Sequence, residues 1–124
     1  MPVKQVIVMR KFYNGSQLRK GKLIAQGSHA SCSFLVDLAL GRRRPTPVEL
    51  EWLNGSFAKI CLSVDTEEEL LDIFNKAHDA GLVVKLITDS GKTEFHGVPT
   101  ITCLAIGPDL AEKIDPITSH LGLL

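Results

Sequence analysis

Four short runs rich in aliphatic and β-branched residues punctuate this chain: Gln5–Met9, Lys59–Val64, Leu82–Thr88 and Thr100–Ile106. Each reads as a strand, and the first is apolar enough to be covered on both faces. Helix-patterned sequence lies between them. From about Gly21 to Leu40, Leu23, Ile24, Ala30, Phe34, Leu35 and Leu38 form an apolar stripe opposite Lys22, Gln26, His29 and Ser33. Gly41 and the Arg42-Arg43-Arg44-Pro45 run end that helix, with cations where its dipole favours them. Thr46-Pro47-Val48-Glu49 and Thr66-Glu67-Glu68-Glu69 are capping boxes. The first opens a short helix through Trp52, and the second opens a helix over Leu70, Ile73, Phe74 and Ala77 that closes at Gly81. Pro108 starts a last helix to about Ile117, before a short apolar tail at 120–124. Lys11–Arg19 is expected to be a loop turning at Asn14-Gly15.

The order β-α-α-β-α-β-β-α describes an α/β fold: a small two-layer or three-layer sandwich on a mixed four-stranded sheet. Strands separated by helices should run parallel, and the last two antiparallel. At 124 residues the chain has room for one domain, residues 1–124. No apolar run approaches the roughly 20 residues a membrane helix needs, and the N-terminus lacks the pattern of a signal peptide. Cys32, Cys61 and Cys103 are scattered and odd in number, which fits a reducing cytoplasm better than a disulfide framework.

Formal net charge is zero, but the distribution is uneven. Residues 1–44 carry nine Lys/Arg against the single acid Asp37, and the rest of the chain carries five bases against thirteen acids. Such asymmetry predicts one electropositive face suited to phosphates.

Polar side chains capable of chemistry gather in two stretches. Lys22, Gln26 and His29 stand at i, i+4 and i+7, on one helix face. Asp89 ends the third strand, and Thr93 and Thr102 follow across a glycine-containing loop. In open α/β sheets the crevice at the carboxyl ends of strands collects the site, so these groups converge if the first and third strands are neighbours. Gly91-Lys92-Thr93 is not a phosphate-binding P-loop: the glycine needed five residues earlier is Leu86, and no helix follows. His29, His78, His96 and His120 lack the spacing of a zinc site.

The two stretches resemble the second class of peptidyl-tRNA hydrolases, typical of archaea and eukaryotes and found in some bacteria. The class motif G-K-x-x-A-Q-x-x-H-A is matched by Gly21, Lys22, Ala25, Gln26, His29 and Ala30. A second motif is matched by Asp89, Gly91, Lys92, Thr93 and Glu94, then Thr102 and 105–108. The resemblance covers essentially the whole chain. It implies cleavage, without metal or cofactor, of the ester joining a peptide to the 3′ end of tRNA. Lys22, Asp89, Thr93 and Thr102 would be catalytic, and Gln26 and His29 would assist in substrate binding. It further implies a cytoplasmic homodimer. The tail at 121–124 and the outer side of the second helix near Trp52 are candidate dimer surfaces.

On this reading Asp89, directly or through a threonine, positions and deprotonates the attacking water. Lys22 holds the ribose–phosphate end or stabilises the charge growing on the ester carbonyl. Arg19, Lys20, Lys92 and the Arg42–Arg44 run contact tRNA phosphates. A nucleophilic threonine stays open as an alternative. Two features depart from the class: its acidic residue after the first strand is missing, with Arg10-Lys11 leading into Phe12-Tyr13 and a longer segment, and the loop before Thr102 is about one residue longer. The altered segment at 12–18 motivates a second reading, an inactive tRNA- or protein-binding module of the same fold; a hydrolase of a different aminoacyl or nucleotide ester is a third.

Overall fold

The computed structural model describes residues 2–91 and 95–124. Its centre is a sheet built from β1 (Val3–Arg10), β4 (Lys59–Val64), β5 (Val84–Asp89), β6 (Thr100–Leu110) and β7 (Gly122–Leu123). The strand order is β5-β6-β1-β4-β7. β1 and β4 run parallel, as expected for strands joined through helices, and β5 and β6 are antiparallel. β6 inserts between β1 and β5, so the first and third predicted strands are not neighbours. The apolar tail adds a fifth strand, pairing Leu62 with Leu123 along the edge of β4.

Helices cover both faces, making three layers. On one face α1 (Lys20–Ala39) and α2 (Pro47–Asn54) bury Ile7, Met9, Ala30, Cys103 and Ala105, with Val3, Phe34 and Trp52 beside them. On the other, α3 (Glu67–Asp79) and α4 (Ala111–Thr118) close over Val6, Val8, Leu70, Ile73, Leu104, Ile106 and Ile114. Odd residues of β1 face one layer and even residues the other, the two-residue period of a strand buried on both sides.

Both helix starts read from the sequence form. Thr46 accepts from the Glu49 N–H while the Glu49 carboxylate accepts from the Thr46 N–H, and Thr66 likewise accepts from the Glu69 N–H. Glu49 also takes a bidentate pair from Arg43 at 2.8 and 2.7 Å. Burial alone would push its carboxyl up, but the hydrogen bonds from Arg43 and Thr46 hold it below the usual range.

Four expectations change. The segment read as a loop contains a small hairpin, β2 (Phe12–Tyr13) with β3 (Ser16–Gln17). Its turn residues Asn14 and Gly15 both have positive φ, 52° and 82°, as the twist of a two-residue hairpin demands. Pro108 does not start the last helix; β1 pairs with β6 as far as Leu110, so α4 begins only at Ala111. On α1, Ile24 is exposed, whereas Gln26 and Ser31 are buried. The buried face is thus more polar than the stripe suggested, because Ser31 and Gln5 satisfy each other across the α1–sheet interface. Finally, Trp52 is 1% exposed, packed edge-on against Phe34 and against Phe57, so it offers no outer surface.

Candidate active site

Lys22 stands in the first turn of α1 and Gln26 one turn later, while Asp89 is the last residue of β5. α1 packs across β5 and β6, which brings these side chains together although β5 is not beside β1. Lys22 Nζ donates to Asp89 Oδ1 at 2.9 Å, and Gln26 Nε2 donates to the same oxygen at 3.2 Å. The Gly91 N–H donates to Asp89 Oδ2 at 2.8 Å. The Lys22 and Asp89 side chains are only 15% and 10% exposed. With its amide nitrogen turned to a carboxylate that can only accept, Gln26 presents its carbonyl oxygen to the Thr102 hydroxyl, which donates at 2.6 Å.

A β-bulge places Thr102. Ile87 pairs with Cys103 but Thr88 pairs with Ile101, so Thr102 is the extra residue on β6. The pleat would otherwise send Thr102 and Cys103 to opposite faces. The bulge lets both meet α1: Cys103 Sγ lies 3.4 Å from the Gln26 carbonyl. Burial pushes the Cys103 thiol up to about 11, so it stays a neutral packing group.

The hydrogen bond from Lys22 is the main reason the Asp89 carboxyl sits below its usual range; partial burial opposes it, and the Gly91 N–H and Gln26 reinforce it. Asp89 is therefore a carboxylate at any neutral pH. About four lone-pair positions are available on a carboxylate, and three are taken by Lys22, Gln26 and Gly91. Among the described residues, one position on Oδ2 is left for another donor.

The first turn of α1 contains no acid, and Arg19 at the N-cap, Lys20 and Lys22 put three cations at its positive end. This opposes the usual preference for acids there, and it builds positive potential beside Asp89. Arg19 and Lys20 are both exposed. Arg42 pairs with Asp37, and Arg43 is committed to Glu49, so of the three-arginine run only Arg44 matches the phosphate-binding expectation in being exposed and outside a carboxylate pair among the described residues. His29 does not join the network; it stays on the exposed flank of α1, in a shallow depression beside Asp37 and Lys85. Lys92 and Thr93 lie outside the described residues.

The pattern of the sequence did not point to Tyr13. Its hydroxyl donates to the Thr102 carbonyl at 3.3 Å, Arg10 lies 4.4 Å over its ring, and Phe95 packs against it at 5.0 Å. Burial pushes its phenol well above the usual value, with Arg10 opposing, so it acts as a neutral donor. Among the described residues no group of three His, Cys, Asp or Glu gathers as a metal cage.

The family model described as peptidyl-tRNA hydrolase PTH2 matches residues 3–124. A peptidyl-tRNA hydrolase of Methanocaldococcus jannaschii is 43% identical over 122 residues, covering 98% of this chain and 100% of that protein. One from Nanoarchaeum equitans is 47% identical over 122 residues, covering 98% of each. A probable peptidyl-tRNA hydrolase 2 of Dictyostelium discoideum is 39% identical, the match taking in 97% of this chain and 54% of that longer protein. Among solved structures, a protein of unknown function from Agrobacterium tumefaciens strain C58 superposes with a TM-score of 0.61 at 10% identity, covering 98% and 97% of the two chains. That likeness concerns the fold alone.

Proposed function

The chain belongs to the peptidyl-tRNA hydrolase PTH2 family, and from that premise we propose how the network around Asp89 serves the reaction. The protein hydrolyses the ester between a peptide and the 3′ end of tRNA, releasing the tRNA for reuse. In our reading Asp89 holds the attacking water through its remaining lone pair on Oδ2. With a depressed pKa it is a weak base, so it orients and polarises the water and takes the proton only as the new C–O bond forms. The Lys22 ammonium offsets the charge that develops on the ester carbonyl oxygen, a gain largest where water is partly excluded. Collapse of the tetrahedral species breaks the bond to the ribose 3′-oxygen, which leaves with a proton.

Gln26 and Thr102 are positioning residues in this scheme. The Thr102 proton is committed to Gln26, which favours support of Asp89 over a nucleophilic role. Arg19, Lys20, Lys92 and Arg44 would hold tRNA phosphates, and His29 on the same helix would touch substrate only farther from the ester. The observation that carries the scheme is the continuous chain Lys22–Asp89–Gln26–Thr102, drawn from three elements distant in sequence. Its test is turnover of purified peptidyl-tRNA by Asp89→Asn. We expect a loss on the order of 10²- to 10⁴-fold with tRNA affinity little changed; near-normal turnover would sink the assignment.

We place the enzyme in the cytoplasm, where translation generates its substrate, and propose that it works as a homodimer. Support for the dimer comes from an apolar groove between α1 and the β4–β7 edge, flanked by Ile24, Phe57 and Leu124, which are 70%, 46% and 50% exposed. Sedimentation equilibrium should give twice the chain mass, and Ile24→Lys should shift it towards the monomer.

A further inference from the structure

Beside the Asp89 network a cleft of about 590 Å³ opens between the β2–β3 hairpin and the loop returning to β6. Arg10, Tyr13, Asn14, Gln17, Phe95 and His96 line it, and the ester chemistry uses none of them. Tyr13 joins the cleft to the site, because its hydroxyl holds the Thr102 carbonyl. The floor is rigid. Arg10 donates to the carbonyls of Phe12 and Ile101 at 3.0 and 3.3 Å, and its guanidinium and the Phe95 ring both pack on Tyr13. Phe95 is half-buried and still contributes surface to the cleft, while Asn14, Gln17 and His96 are exposed at its rim.

An aromatic surface beside amide side chains suits one chemistry well. Unstacked bases of single-stranded RNA stack on aromatic rings and hydrogen-bond through their edges. Asparagine and glutamine amides offer both donors and acceptors to such an edge. A substrate whose ester reacts at Asp89 carries that ester on its terminal ribose, so the terminal base is the part of the RNA next to the reacting bond, and Tyr13, Thr102 and Gln26 connect the cleft to Asp89. The peptide on the other side of the ester varies from one substrate to the next, and a fixed set of polar groups suits it poorly. We propose that this cleft binds the nucleobase of the 3′-terminal nucleotide of tRNA, stacked on Phe95, with Asn14 and Gln17 of the hairpin reading its edge. The proposal rests on the hydrolase reading. It also gives the segment where this chain departs from its class pattern a task.

The probe is deacylated tRNA whose terminal adenosine is replaced by 2-aminopurine riboside, whose emission changes with its stacking partners. Wild type and Asp89→Asn should both give a saturable change. Phe95→Leu, which keeps apolar packing on Tyr13, and Gln17→Ala, at an exposed position, should each weaken binding on the order of tenfold. With peptidyl-tRNA the same variants should raise KM by a similar factor at constant kcat, because the base contact is equal in ground and transition states. A wild type that hydrolyses peptidyl-tRNA yet gives no emission change removes the cleft assignment and leaves the enzyme reading intact. Unaltered probe binding in both variants also overturns the assignment. So does a KM effect that follows peptide identity while probe binding stays constant, since that would seat the peptide in the cleft. Failure of wild type to hydrolyse peptidyl-tRNA is a separate result, and it falls on the functional reading.

Discussion

Asp89 shows how one residue's environment limits its chemistry. A carboxylate held by an ammonium, an amide and a backbone N–H is stable and ionised, but it is a poor proton acceptor. The sign of the shift sets the pH dependence. Because its folded pKa lies below the ordinary value of about 3.9, protonation of Asp89 should limit kcat/KM only below that pH. Its contribution to stability is likewise present above the unfolded pKa and lost as pH falls through the folded one. A pH–rate profile flat from neutrality to about pH 4.5 would agree, whereas an acid limb between about pH 5 and 7 would have to come from another group. The residue types were readable from the chain: Lys22, Gln26, Asp89 and Thr102 stood out as polar groups that packing alone does not require. The charge balance was not readable, because the Gly91 N–H and the burial of the pair arise only on folding.

At the scale of elements, two local distortions set up the site. The bulge at Thr102 turns consecutive residues of β6 towards α1, and no propensity in Thr-Ile-Thr-Cys announces it. The second is the turn after β5. Gly91 has φ +84°, and a Cβ there would lie 2.3 Å from the Val98 carbonyl oxygen. Gly91 also accepts from the Gly97 N–H at 2.8 Å, so its backbone ties the cleft loop to Asp89. Gly91→Ala must push the loop away and weaken the N–H bond that orients the carboxylate. We expect turnover to fall about 10²-fold with the melting temperature changed far less, which a turnover assay beside a thermal scan would establish. The two capped helix starts, by contrast, were legible. Capping residues act within one turn, and the hydrogen bonds at Thr46 and Thr66 need no distant partner.

Across the whole molecule, the packing of α1 on β5 brings Lys22, in the acid-free first turn of α1, to the carboxyl end of β5. Part of the charge asymmetry along the sequence is spent on ion pairs within the chain: the exposed Arg42 pairs with Asp37, and Arg43 pairs with the buried Glu49. Binding of tRNA should therefore depend on fewer cations than the sequence count suggests. Lys20→Ala should weaken tRNA binding and lower the slope of log affinity against log salt by about 0.7 to 0.9, one phosphate contact. An unchanged slope would remove Lys20 from the interface. The sequence by itself determined the strand–helix alternation, the capped helix starts at Thr46 and Thr66, and the presence of the polar groups that meet at Asp89, because periodicity, capping and side-chain chemistry are local properties. Only the tertiary structure decided that β6 lies between β1 and β5, that Trp52 is buried, and that Phe12–Gln17 forms a hairpin beside Thr102. Strand order and burial depend on which apolar surfaces meet across long sequence separations, and no window of residues contains that information.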